Sequence, residues 1–245
     1  MSKILLIETA TEVCGAAISV DGEVVAIRED PDAQNHAALL TLQIKACLRE
    51  ANLGITEIDA VAVSAGPGSY TSLRVGVATA KGICYALNKP LIAVNTLQAL
   101  AKSALDWYQG APESDPSALA EIYLAPMLDA RRKEVWAAVY NTVCGEISAP
   151  GPLILENNLF GIFLRDIGID QKKSVLILSG NGSFKLENDL NEKGTVISPI
   201  KKCSARFLAH WAEKYVQQGD FQDVSRFEPF YMKPPNITTS AQAKI

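Results

Sequence analysis

The feature that most constrains the fold is a repeat. Ile7-Glu8-Thr9-Ala10 followed by Val13 to Ala17 matches Leu128-Asp129-Ala130 followed by Val135 to Val139, with one residue inserted. Asp21-Gly22-Glu23 is echoed by Cys144-Gly145-Glu146, and the strand and glycine turn of Val61 to Gly68 by Val175 to Gly182. Each half therefore opens with an acid-tipped strand and a hairpin, then sends a parallel strand into a Gly-rich turn. Chance similarity is the competing explanation. At 245 residues the chain has room for one large domain or two small ones, at roughly 150 residues per domain.

Local signals fill in the first half. Lys3 to Glu8, Gly15 to Val20 and Glu23 to Glu29 are short β-type runs, and Asp21-Gly22 is a strong hairpin signal. From Asn35 to Ala51 the apolar residues Leu40, Ile44, Cys47, Leu48 and Ala51 recur at helical spacing. Ile58 to Ser64 reads as a buried strand, Tyr70 to Leu87 as a helix stopping before Pro90, and Leu91 to Val94 as a further strand before a helix from Thr96. Gly110, Pro112 and Pro116 make Gln109 to Ser117 the expected linker between halves.

The stretch Ser64 to Arg74, SAGPGSYTSLR, is the most distinctive. A strand ends in a glycine turn that feeds a helix N-terminus, where free N–H groups favour an anion. It lacks the spacing of the dinucleotide fingerprint, the Walker loop and the nucleophile elbow. A tight turn with Ser69 as helix cap is the other reading, and spacing leaves both open. In the helix that follows, Ser72, Gly76, Thr79 or Ala80, and Ile83 share a face, and Gly76 and Gly82 each cost about 1 kcal/mol of helix propensity relative to Ala. Small residues there imply close approach of another backbone, within the fold or from a partner. Leu39, Leu42 and Ala46 widen the apolar face of the preceding helix, which points to a subunit interface, with ordinary packing within the chain as the other reading.

Composition narrows the chemistry. Hydrophobic residues make up 48% and charged residues 20%, the profile of a globular protein, and a net charge of −4 argues against unaided nucleic-acid binding. Residues 1 to 7 are too short an apolar run for a signal-peptide core, so the cytoplasm is the expected location, with no membrane partner. Cys14, Cys47, Cys84, Cys144 and Cys203 form no C-x-x-C pair and read as buried thiols. The two histidines, His36 and His210, lie in different halves, and Leu40 stands where a helical metal pair would need a second ligand to His36. Glu8 and Asp129 end the matching strands; such carboxylates hold a magnesium-bound phosphate, act as bases, or cap their turns. Arg131 and Arg132 suit an acidic partner or a charged hairpin tip equally.

Ile4 to Thr9, the block Gly66 to Gly76 with Ala80-Lys81-Gly82, and Asp129 to Val135 together resemble the TsaB family over most of the chain. The resemblance implies an α/β fold of the duplicated actin-like (ASKHA, ribonuclease H-like) type, with two subdomains, each a mixed sheet flanked by helices. It places them at residues 1–108, completed by a helix near 203–218, and 109–202, followed by a tail over 219–245. It further implies a subunit without catalysis of its own, for dimerisation and activation. That subunit would support a metal-bearing TsaD homologue and a TsaE ATPase in forming N6-threonylcarbamoyladenosine in tRNA next to the anticodon. A stand-alone ATP-dependent kinase or peptidase of the same fold is the alternative.

Carried over residue by residue, the resemblance assigns His36, Leu39, Leu42, Ala46, Tyr70, Ser72, Leu73, Arg74, Gly76, Val77, Ala80 and Ile83 to an interface with TsaD or with a second copy of the chain. Glu8, Thr9, Gly66, Gly68, Ser69, Gly180 and Gly182 are the weaker candidates for nucleotide or phosphate, with no catalytic or metal residue named. No cofactor is expected on this subunit alone, ATP or ADP and magnesium belonging to the complex interface, and tRNA is expected to be met only indirectly. Glu8 stands for the family's more usual Asp, Ser72 for Gly and Tyr70 for Phe. The stretch Phe227 to Lys233 resembles the family's closing segment.

Overall fold

A computed structural model describes residues 1–111, 121–156, 158–170, 172–186 and 194–232. Most of the expected linker, including Pro112 and Pro116, and the tail from residue 233 lie outside these residues.

The first half is a five-stranded sheet of β1 (Lys3–Glu8), β2 (Cys14–Val20), β3 (Glu23–Asp30), β4 (Ala60–Gly66) and β5 (Leu91–Asn95) in the order β3-β2-β1-β4-β5. β1, β2 and β3 form an antiparallel meander, and β4 and β5 add in parallel. The turn between β2 and β3 holds Asp21 at φ 51° and Gly22 at φ 85°, as the Asp-Gly signal requires. The second half has β6 (Glu121–Asp129), β7 (Glu134–Tyr140), β8 (Glu146–Ile154), β9 (Ser174–Ser179) and β10 (Thr195–Ile197). Its order from the meander edge is β8-β7-β6-β9-β10, again with the last two strands parallel, so the two sheets share one topology.

The run Ile4-Leu5-Leu6-Ile7 explains the layering. Side chains alternate across a strand, and here both faces are covered. Leu5 and Ile7 pack under α1 (His36–Glu50) and α2 (Tyr70–Leu87), while Ile4 and Leu6 pack under α3 (Thr96–Gly110) and α5 (Ala209–Gln218). All four are fully buried, worth roughly 1.5–3 kcal/mol each. α3 also lies on β6 and β9, so Leu124, Leu128 and Tyr140 of the second sheet share its core. α4 (Leu159–Asp166) covers the outer face of that sheet through Phe160 and Leu164. Among the described residues no helix is long and apolar enough to cross a membrane.

The helices end where their caps dictate. Asn35 accepts from the Ala38 N–H at the start of α1, and Asn88 ends α2 in the left-handed region at φ 50°. β4 begins two residues later than expected. Asp59 is still committed to the Lys3 carbonyl, and the ladder with β1 starts at Ala60 opposite Ile4. Ser69 occupies the N-cap of α2 without a side-chain bond to the helix backbone; its hydroxyl meets that of Ser72, and its N–H donates to the Ala10 carbonyl at 2.7 Å.

After α5 the chain returns across the first half as a strap. Gln222 donates to the Leu91 carbonyl, the Lys81 ammonium donates to the carbonyls of Ser225 and Phe227, and Phe230 donates to the Ala65 carbonyl. Tyr231 then rests on Tyr70, ring centres 4.5 Å apart. Gly66, at φ 108°, lies against the Phe230 carbonyl and leaves no room for a side chain.

Candidate functional site

Between the two halves lies a cleft of about 660 Å³. One wall is the β1–β2 loop (Ala10, Thr11, Glu12), His36 and the start of α2 from Gly68 to Ser72; the other is Asp129 to Arg131, Trp136 and Asn181. Tyr231 and Met232 of the strap also line the cleft.

The glycines of both halves do the same local work. Gly68 packs on the Ala10 backbone, while Gly180, at φ 83°, packs on the Met127 carbonyl and Gly182 on the Leu128 backbone. The Gly182 N–H donates to Met127 at 2.9 Å much as Ser69 donates to Ala10. These glycines let a turn press against the loop of its own half, and Gly68 and Ser69 alone of the proposed phosphate set line the cleft. Gly66, Gly180 and Gly182 are buried behind it.

The strand-tip acids have diverged. Each accepts from the N–H two residues on, Glu8 from Ala10 and Asp129 from Arg131, both at 2.6 Å. Asp129 remains exposed in the cleft and pairs with the Lys185 ammonium. Glu8 is 1% exposed and outside the cleft lining, and its neighbour Thr9 is fully buried against Gly76. Burial, with the Glu29 carboxylate nearby, pushes the Glu8 carboxyl up to about 7 against the bonds from Ala10 and Ser64. Glu8 therefore does not face this cleft, and the carboxylates in its lining are those of Glu12 and Asp129. Among the described residues no cluster of His, Cys, Asp and Glu has the makings of a metal site.

The proposed interface residues separate into two groups. Leu73, Gly76, Val77 and Ala80 are buried within the chain itself, and a Cβ at Gly76 would overlap the Thr9 hydroxyl. The close approach implied by the small residues of α2 is therefore internal at Gly76. His36 is also buried, its Nε2 lying 3.0 Å from the Thr11 carbonyl and 3.2 Å from that of Val13. The outer group comprises Leu39, Ala46, Tyr70, Ser72 and Ile83, all half-buried, with exposed Arg74 and Leu42, the latter 60% open. Arg74 lies over the Tyr70 ring at 5.6 Å. Sequence reasoning missed Tyr85, 86% exposed on α2, because its helical position alone does not tell which side the sheet covers. It also missed Glu12 and Asn181, which join across the cleft; the Gly180-Asn181-Gly182 turn was the available signal.

Comparison with known proteins places this geometry. The family described as TsaD, tRNA N6-adenosine threonylcarbamoyltransferase, matches residues 30–156. The tRNA threonylcarbamoyladenosine biosynthesis protein TsaB of Haemophilus influenzae is 32% identical over 133 residues, 54% of this chain and 51% of that protein. The Escherichia coli protein of the same name is 33% identical over 138 residues, 56% and 54% of the two chains. The chain thus spans about half the length of these curated relatives. Among solved structures, a Pseudomonas aeruginosa protein described as similar to peptidase YeaZ superposes with a TM-score of 0.76 at 24% identity, covering 95% of this chain and all of that one. YeaZ from Pseudomonas aeruginosa gives 0.73 at 23% identity, covering 94% and 100%. The fold is the duplicated, actin-like one.

Proposed function

The chain belongs to the tRNA N6-adenosine threonylcarbamoyltransferase (TsaD) family, on its TsaB side, and from that premise we propose that it is a dimerisation and activating subunit in N6-threonylcarbamoyladenosine formation. It performs no chemistry alone. It pairs through the outer faces of α1 and α2 with a metal-bearing TsaD-type homologue, joined by a TsaE-type ATPase, and pairs with itself when that partner is absent. ATP or ADP with magnesium belongs to the surface shared with the partner, tRNA is reached through the partner, and the complex works in the cytoplasm.

The observation that carries this reading is the open apolar face of α1 and α2. Leu42 and Tyr85 stand out from helices whose inner sides pack on the first sheet, α1 on β2 and β3 and α2 chiefly on β4. Both are large apolar side chains exposed on helices that cover the same sheet face, the kind of surface that favours a protein partner over water.

Reconstitution tests the proposal. Modification of tRNA by the TsaD-type and TsaE-type partners with ATP is expected to require this chain, and an equal rate without it would refute the activating role. Calorimetric titration of the chain alone with ATP and magnesium is expected to give no heat; binding with turnover would favour the kinase.

A further inference from the structure

We propose that the tip of the β6–β7 hairpin, through Arg131 and Arg132, is the docking point for a carboxylate-bearing segment of a protein partner laid into the cleft. Both arginines are exposed, and among the described residues neither guanidinium has an ion-pair or hydrogen-bond partner. The acids beside them are engaged elsewhere. Asp129 accepts the Arg131 N–H at 2.6 Å and pairs with the Lys185 ammonium, Glu12 on the opposite wall accepts from the Asn181 amide at 3.1 Å, and Glu156 pairs with Lys133 at 3.0 Å. Arg131 is therefore the one permanent cation in the cleft lining among the described residues, and its charge is unanswered. Arg132 sets a second free guanidinium next to it in the chain.

The hairpin holds this pair in place. Arg131 and Arg132 stand at φ 71° and 52°, successive residues in the left-handed region that asparagine and glycine enter more readily. The Ala130 N–H donates to the Glu134 carbonyl and the Glu134 N–H to the Arg131 carbonyl, both at 3.1 Å, while the Asn181 oxygen takes the Asp129 N–H at 2.9 Å. A guanidinium whose backbone is already fixed loses less freedom on meeting a carboxylate, which its planar fork takes through two parallel N–H bonds. The matching β1–β2 loop, Thr9 to Glu12, carries no cation, so the arginine pair is not a requirement of that place in the fold. The cleft favours a peptide over a polyphosphate. RNA or a nucleotide would bring several negative charges past Glu12 into a chain of net charge −4, against two free guanidiniums. A segment with one or two carboxylates asks for no more than those two. Tyr70, Trp136 and Tyr231 in the lining offer its apolar atoms the kind of surface found at protein interfaces.

The test uses the whole chain alone, so its outcome does not depend on assembly through α1 and α2. Fluorescence anisotropy follows a fluorescein-labelled hexaglutamate peptide titrated with the chain at about 50 mM salt, where surface charge is less screened than at physiological strength. The wild type is expected to bind the peptide, and Arg131→Gln and Arg132→Gln each to weaken binding about tenfold. Arg206→Gln, which removes an exposed cation outside the cleft lining, is expected to bind as the wild type does. Both arginines of the tip are exposed and their backbone bonds remain, so the variants are expected to fold, as circular dichroism verifies. Unlabelled hexaglutamate, hexauridylate and ATP then compete with the labelled peptide, and the unlabelled peptide is expected to displace it at the lowest concentration. Absence of binding by the wild type, undiminished binding by Arg131→Gln, or an equal loss in Arg206→Gln would overturn the proposal. So would displacement at lower concentration by hexauridylate or by ATP, which would assign the pair to RNA or to a nucleotide.

Discussion

Asn181 joins the two halves of the chain to each other: its side-chain amide donates to the Glu12 carboxylate across the cleft at 3.1 Å, while its oxygen accepts the Asp129 N–H at 2.9 Å. A single side chain thus ties the β1–β2 loop to the β6–β7 hairpin, the two loops related by the duplication. Asn181→Ala removes both bonds and leaves the Asp129 N–H without its side-chain partner. The expected loss is about 1–2 kcal/mol, read as a lower urea midpoint with an unchanged slope. Wild-type stability in Asn181→Ala would show that the bond contributes nothing to holding the halves together.

Gly76 and Gly82 predict opposite outcomes for the same change. Replacing a helical glycine by alanine normally gains up to about 1 kcal/mol. At Gly82 nothing lies within 4 Å of the added methyl, so Gly82→Ala is expected to raise stability by about that amount. At Gly76 the methyl meets Thr9, which is itself fully buried, so Gly76→Ala is expected to cost about 1–3 kcal/mol through overpacking. Thermal or urea unfolding of the two variants side by side checks the sign. Two equal gains would mean that Thr9 yields freely. A substitution at Gly76 consequently disturbs the fold and says little about assembly.

This pair shows what the sequence could and could not convey. Periodicity and turn chemistry are local, so the helix Tyr70–Leu87, the Asp21-Gly22 hairpin and the repeated strand order were legible from residue types alone. Burial is decided by what arrives from elsewhere in the chain. A stripe of small residues reads the same whether Thr9 or a partner fills it, and an acid at a strand tip reads the same whether it faces a cleft, as Asp129 does, or its own loop, as Glu8 does. His36 likewise had no nearby motif to announce that the Thr11 and Val13 carbonyls would engage it.

The strap makes a third prediction. Lys81 is the side chain that holds the carbonyls of Ser225 and Phe227, at 3.4 and 2.8 Å, beside α2. Lys81→Met keeps the apolar stem and removes the donors. Global stability is expected to fall by about 1 kcal/mol, while proteolytic cleavage near Arg226 accelerates several-fold because local opening becomes easier. Cleavage at the wild-type rate would mean that the Gln222 and Phe230 backbone bonds hold the strap without Lys81.

Assembly through α1 and α2 is the central claim, and light scattering on a gel-filtration column reaches it most directly. The chain is loaded with and without its TsaD-type homologue from the same source, beside a Leu42→Glu, Tyr85→Glu variant whose folding is verified by circular dichroism. Both substituted positions are exposed, so the variant is expected to fold normally. The account predicts a new heterodimeric or larger peak for the wild-type mixture and its loss in the variant. Separate elution of the wild-type proteins, with and without ATP, or an undiminished complex with the variant, would contradict it.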